Sequence, residues 1–101
     1  LIREGIIMLS DIPKRLKDVD RETLDLEILR AGIIAELDAI NLYEQMAAMT
    51  ENENIRRVLL DIVREEKAHF GEFEALLFKL DKEQVKETEA GKREVGELTN
   101  D

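Results

Sequence analysis

The sequence contains no cysteine and no tryptophan, and its 101 residues include one proline, one tyrosine and one histidine. Without cysteine there is no disulfide framework, no zinc ribbon and no thiol nucleophile, so neither secretion nor cysteine chemistry has support. Positive charge is also scarce. Fifteen Lys and Arg stand against 24 Asp and Glu, a formal charge of −9. That balance argues against duplex nucleic acid or an anionic membrane as partner, since both need a basic face, and it suits a protein that attracts cations. No long apolar run is present. Ile6-Ile7-Met8-Leu9 is far too short to span a bilayer and lacks the architecture of a signal peptide, so the expected location is cytoplasmic. No Gly-rich phosphate loop, Ser-His-Asp order or basic aromatic patch occurs.

What remains is a chain with 39% charged residues and many aliphatic ones, which is the composition of long helices. A chain of this length forms one small domain and buries a modest share of its surface, which makes a partner subunit a natural source of stability. Residues 1–22 show no sustained period and read as an N-terminal arm, in which Ser10-Asp11-Ile12-Pro13 is placed to open a short helix. From about Thr23, Leu29, Ile33, Glu36, Ile40, Tyr43 and Ala47 follow one another at alternating steps of four and three. That is the spacing of a helix seam.

The polar run Thr50-Glu51-Asn52-Glu53-Asn54 interrupts the pattern, and Thr50 with Glu53 three residues later has the form of a capping box. A second seam follows: Ile55, Leu59, Ile62, Glu66, His69, Phe73, Leu76 and Leu80. Each helix would hold about 25 residues and extend roughly 38 Å, and so short a connection makes the two antiparallel. Asp81 with Gln84 resembles a further cap, predicting a short third helix over 82–90 that ends at Gly91. The domain is thus expected over 23–90, with 91–101 a flexible tail. The fold class is all-α: a long two-helix hairpin plus a short C-terminal helix. Two such stripes cannot enclose a core alone, so dimerisation into a four-helix bundle is expected.

Three polar residues occupy seam positions. Glu36 lies 16 residues before Asn52 and Glu66 lies 14 after it, so antiparallel pairing puts them at similar depth. His69, three residues after Glu66, projects from the same helix face. Burying carboxylates in an apolar seam costs several kcal/mol per ion unless something compensates, and a cation is the evident compensation. A four-helix di-metal site takes a Glu from each of two helices and a Glu-x-x-His from each of the other two. One hairpin carries half of that. A two-fold dimer would supply four carboxylates against two divalent ions, and the charges would balance. Carboxylate and imidazole ligands without sulfur favour iron or manganese, with zinc also compatible. The competing explanation is a metal-free polar layer that fixes register in a helical dimer or scaffold. Tyr43 reads as a core residue whose hydroxyl could also serve a nearby metal, Glu65 as a solvated flank, and Asp38 as a surface charge.

Two segments, "AELDAINLYEQM" (35–46) and "REEKAHFGEF" (64–73), with the separation between them, resemble the encapsulated ferritin family over about 23–80. The resemblance implies a two-helix protomer that dimerises into a ferritin-like unit, assembles into a decameric ring and acts as a ferroxidase inside an encapsulin nanocompartment. It assigns iron binding to Glu36, Glu66 and His69, a role near the centre to Tyr43, and a secondary metal site to Asp38. Ala35 and Leu42 depart from the acid and the tryptophan found at those positions in some members. The tail "GELTND" lacks the form of an encapsulin-targeting peptide. The family's archaeal members fused to the shell protein are the nearest in likeness, so fusion, truncation or another targeting route are the options. A rubrerythrin-like di-iron peroxidase fragment is the remaining enzymatic alternative.

Overall fold

The computed structural model describes residues 20–100. The described residues form three helices and no strand: α1 Arg21–Met49, α2 Glu53–Leu80 and α3 Lys82–Thr99. The arm expected over 1–22 lies outside the described residues except for its last three, which open α1. Asp20 is the N-cap, its carboxylate accepting from the Thr23 backbone N–H at 2.8 Å.

The turn between α1 and α2 is built differently from the expected capping box. Thr50 ends α1, and its hydroxyl accepts from the Asn52 N–H at 3.1 Å. The cap of α2 is Asn52, whose side-chain oxygen accepts from the N–H groups of Asn54 and Ile55 at 2.9 and 3.0 Å. Asn52 wins because its short amide reaches both exposed donors of the new helix. Arg56 then ties the turn together. Its guanidinium donates to the Ala47 and Thr50 carbonyls and pairs with Glu53, satisfying oxygens that α1 leaves open at its C-terminus.

At 1.5 Å per residue both long helices run a little over about 40 Å and lie side by side as an antiparallel hairpin. The face between them holds Leu29, Ile40 and Ala47 from α1 and Leu59, Val63 and Leu77 from α2, all buried. The α1 seam is therefore as expected. On α2 the expected stripe lies along the rim: Leu59 is buried, but Ile55, Leu76 and Leu80 are about half exposed, while Val63 and Leu77, one residue further round, face α1. The apolar band on α2 is wider than one seam, and α1 covers only its inner edge.

The outer edge has a counterpart on α1. Ile28, Gly32, Ala35, Ala39, Leu42, Met46 and Met49 recur at alternating steps of four and three, and Ile28, Leu42, Met46 and Met49 are exposed at 40% or more. Together the two edges form one open apolar face on the hairpin. At the end away from the turn it is indented by a groove of about 270 Å³ between Ile28, Leu29, Leu76 and Leu80.

Asp81 terminates α2 and caps α3, accepting from the Gln84 N–H at 2.9 Å and from Arg30 of α1 at 3.0 Å. The third helix extends past its expected end. Gly91 lies within it at negative φ, and the helix closes at Asn100, which adopts the left-handed conformation at φ 63°. Residues 92–99 of the expected tail are thus helical. No residue of α3 is buried. The radius of gyration of 17.0 Å compares with about 13 Å for a compact domain of this length.

Candidate metal centre

Glu36 sits midway along α1 and Glu66 with His69 midway along α2, and the antiparallel register brings them together. One ligand atom from each lies within 4.8 Å of the others. His69 Nδ1 is 2.9 Å from Glu66 Oε1 and 3.8 Å from Glu36 Oε2. Two ligands at about 2.1 Å from a common ion are about 3.0 Å apart at right angles and at most about 4.2 Å apart, so the separations of 2.9 and 3.8 Å from His69 are within the reach of one ion. Two carboxylates and an imidazole also form a donor set that suits a divalent first-row metal.

The cluster sits where the inter-helix face meets the open face. The side chains of Glu36 and Glu66 retain 17% and 20% of their exposure, whereas that of His69 retains 49%. The acids are partly desolvated while the imidazole edge stays accessible. Burial raises the Glu36 carboxyl above its ordinary range, and the neighbouring Glu66 reinforces the shift. Hydrogen bonds from Glu36 and His69 lower the Glu66 carboxyl. The hydrogen bond to Glu66 raises the His69 imidazole, assisted by the charge on Glu36. The three shifts share one origin, ionisable groups crowded into a partly desolvated space, and a cation bound there would compete with protons for Glu36 and His69.

Of the other residues singled out in the sequence, Tyr43 is half-buried on α1, two turns beyond Glu36, while Asp38 is exposed. Asp38 is not among the carboxylates that converge with His69. Asp38 is two residues from Glu36, so the helix turns it away from the α2-facing side. Glu65 is exposed. Two features escape a reading of the seams alone. Glu72, one turn beyond His69, adds a negative field that raises both Glu36 and His69. Gly32, one turn before Glu36, lies against the Phe73 ring, where an added Cβ would meet ring carbons at 3.0–3.1 Å. An isolated glycine inside a helical pattern was the available signal.

A single Glu on one long helix facing a Glu-x-x-His on its antiparallel neighbour is the ligand pattern of the ferritin-like carboxylate proteins. The comparisons with known proteins agree. The rubrerythrin family model matches residues 27–100. The ferritin-like-encapsulin shell fusion protein of Pyrococcus furiosus is 64% identical over 84% of this chain, which spans 24% of that protein. The encapsulin nanocompartment cargo protein EncC of Myxococcus xanthus is 41% identical over 66% of this chain and 54% of its own length. The crystal structure of the encapsulated ferritin domain from Pyrococcus furiosus superposes with a TM-score of 0.75 at 53% identity, covering 100% of this chain and 96% of that one. The chain belongs to the rubrerythrin-type ferritin-like family and, within it, to the encapsulated ferritins.

Proposed function

We propose that the protein is a ferroxidase that binds Fe(II) as substrate at a di-iron centre completed by a second copy of the chain. The convergence of Glu36, Glu66 and His69 at the edge of the open apolar face carries this reading. One hairpin offers two carboxylates and one imidazole, too few for two ions, and it offers them beside a surface that lacks a covering layer. A two-fold partner on that surface would bring a second identical set alongside the first. Four carboxylates would then balance the charge of two Fe(II) ions.

In that dimer Glu66 would bridge the two irons, Glu36 would chelate or bridge, and His69 would be a terminal nitrogen ligand on each. Tyr43 would supply a hydrogen bond or an electron from within the helix pair. Oxidation of two Fe(II) to two Fe(III) supplies two electrons, which with two protons reduce dioxygen to hydrogen peroxide or hydrogen peroxide to two waters, and the six ligands of the dimer would hold both ions for that paired transfer. Fe(II) would compete with protons for His69 and Glu36, both of which take a proton more readily than their ordinary values allow, so affinity for Fe(II) rises with pH through the range in which those groups titrate.

Two helices side by side leave no room between them for a mineral core, so ferric product would be stored elsewhere. The relatives, one a shell fusion protein and one a nanocompartment cargo protein, support an encapsulin shell as that place, and a decameric ring is the assembly we propose within it. Iron is the favoured metal for a chain of this family, and the peripheral metal role for Asp38 rests on the family likeness alone. Anaerobic Fe(II) loading followed by oxygen tests the proposal: the unsubstituted protein should develop ferric absorbance with turnover, and Glu66→Ala and His69→Ala should not. Ferric formation unchanged in both variants would overturn it in favour of a metal-free register layer.

A further inference from the structure

Along the hairpin, the layer next to the cluster on the side away from the turn consists of Gly32 from α1 and Phe73 from α2. Gly32 is one turn before Glu36, and Phe73 is one turn after His69. The next layer out is the apolar groove of Ile28, Leu29, Leu76 and Leu80. Phe73 therefore stands between a greasy groove and a set of ionisable ligands. Its ring reaches so far toward α1 that Cε2, Cδ2 and Cζ lie 3.0–3.1 Å from where a Cβ on residue 32 would sit. Only glycine leaves that space open. Yet Gly32 has an ordinary helical backbone, since the structure has no glycine with positive φ among the described residues. Its conformational freedom is not in use, and what the position uses is the missing side chain. Glycine in mid-helix weakens the helix relative to alanine, so the contact it permits must be worth that loss.

We propose that the Gly32–Phe73 contact is a positioning device for the metal centre: the ring seats in the notch, sets how closely α1 approaches α2 beside the cluster, and so fixes the reach of Glu36 toward Glu66 and His69. This rests on the reading of the cluster as a metal site. Neither residue is a ligand. A methyl group at position 32 must move the ring by a few tenths of an ångström or push the helices apart. Both responses disturb ligands whose mutual distances are 2.9 and 3.8 Å, and outer-layer disturbance of metal ligands commonly costs about 10–100-fold in affinity.

The test uses Co(II), added without oxygen and followed by its visible absorption, so that binding is read apart from iron oxidation. Gly32→Ala should bind Co(II) about tenfold more weakly or worse, while its helical circular dichroism is retained and its thermal midpoint changes little, because the helix preference of alanine offsets the lost contact. Gly32→Ala combined with Phe73→Leu should recover most of the affinity, since the smaller side chain vacates the clash. That rescue separates positioning from general destabilisation. Equal Co(II) affinity in Gly32→Ala and the unsubstituted chain would overturn this proposal and leave the metal centre standing. Failure of the unsubstituted chain to bind Co(II) or Fe(II) would overturn both.

Discussion

Glu36, Glu66 and His69 were legible in the sequence because each interrupts an otherwise apolar stripe at heptad spacing, and a charge in such a place demands compensation. Asp38 was suggested only by likeness, and the helix turns it away from the cluster. Gly32 and Phe73 were harder to see, since closeness between a glycine and a ring depends on how two helices approach, which no spacing along one chain encodes. The perturbed acids and imidazole give pH predictions for the metal-free protein. His69 has a folded pKa raised above its unfolded value, so its contribution is fully present below the unfolded pKa and is lost as pH rises through the folded one. Glu66 is lowered, so its contribution is present above the unfolded pKa and is lost as pH falls through the folded one. The two overlap most in mildly acidic solution, and thermal unfolding of the metal-free protein should show a broad stability maximum there. His69→Ala should abolish the high-pH limb. Glu36 is raised by burial, so its ionised form opposes folding. Glu36→Gln should therefore raise the metal-free thermal midpoint at neutral pH while eliminating Fe(II) binding, a pair of opposite effects that calorimetry and iron titration can check.

The helices themselves were largely readable, because two long periodic stripes separated by a polar pentapeptide admit few other arrangements. Their ends were less so. Thr50 and Glu53 have the spacing of a capping box, but capping depends on which oxygen reaches which N–H, and Asn52 reaches two. Gly91 carries the mark of a terminator, yet glycine stops a helix only when the chain needs left-handed backbone there, and that need arises at Asn100. Nothing before Arg56 announces that it will cap the preceding helix across the turn. Asn52→Ala should cost about 1 kcal/mol of stability. Arg56→Ala, which leaves two carbonyls without a charged donor, should cost about 1.5–3 kcal/mol by denaturant unfolding, less in proportion to the water that reaches the partly exposed turn. If Arg56→Ala were neutral, the guanidinium would be a bystander in the hairpin.

The molecule as a whole is defined by what it leaves uncovered. A 17.0 Å radius of gyration, few buried side chains and an open apolar face on both long helices describe a protomer whose core is incomplete. The incomplete core was legible from the sequence, since two stripes cannot enclose each other. The full width of the α2 band was not, because α1 could have covered either edge. Leu76 is 49% exposed on that open face. Leu76→Asp should barely change the hairpin's helicity, yet it should shift the protein to monomer in analytical ultracentrifugation and remove saturable Fe(II) binding, since each half-centre would lose its complement. No helix among the described residues is long and apolar enough to cross a membrane.

The central claim is that metal and partner complete the same site. Anaerobic titration of Fe(II) into the protein, followed by oxygen and by sedimentation on the same samples, measures both at once. The account predicts saturation at two irons per dimer, ferric absorbance only from samples that contain dimer or higher assemblies, and loss of both in Glu66→Ala. Tight iron binding with ferric formation by a monomer, or a stable dimer indifferent to iron and to Glu66, would contradict it.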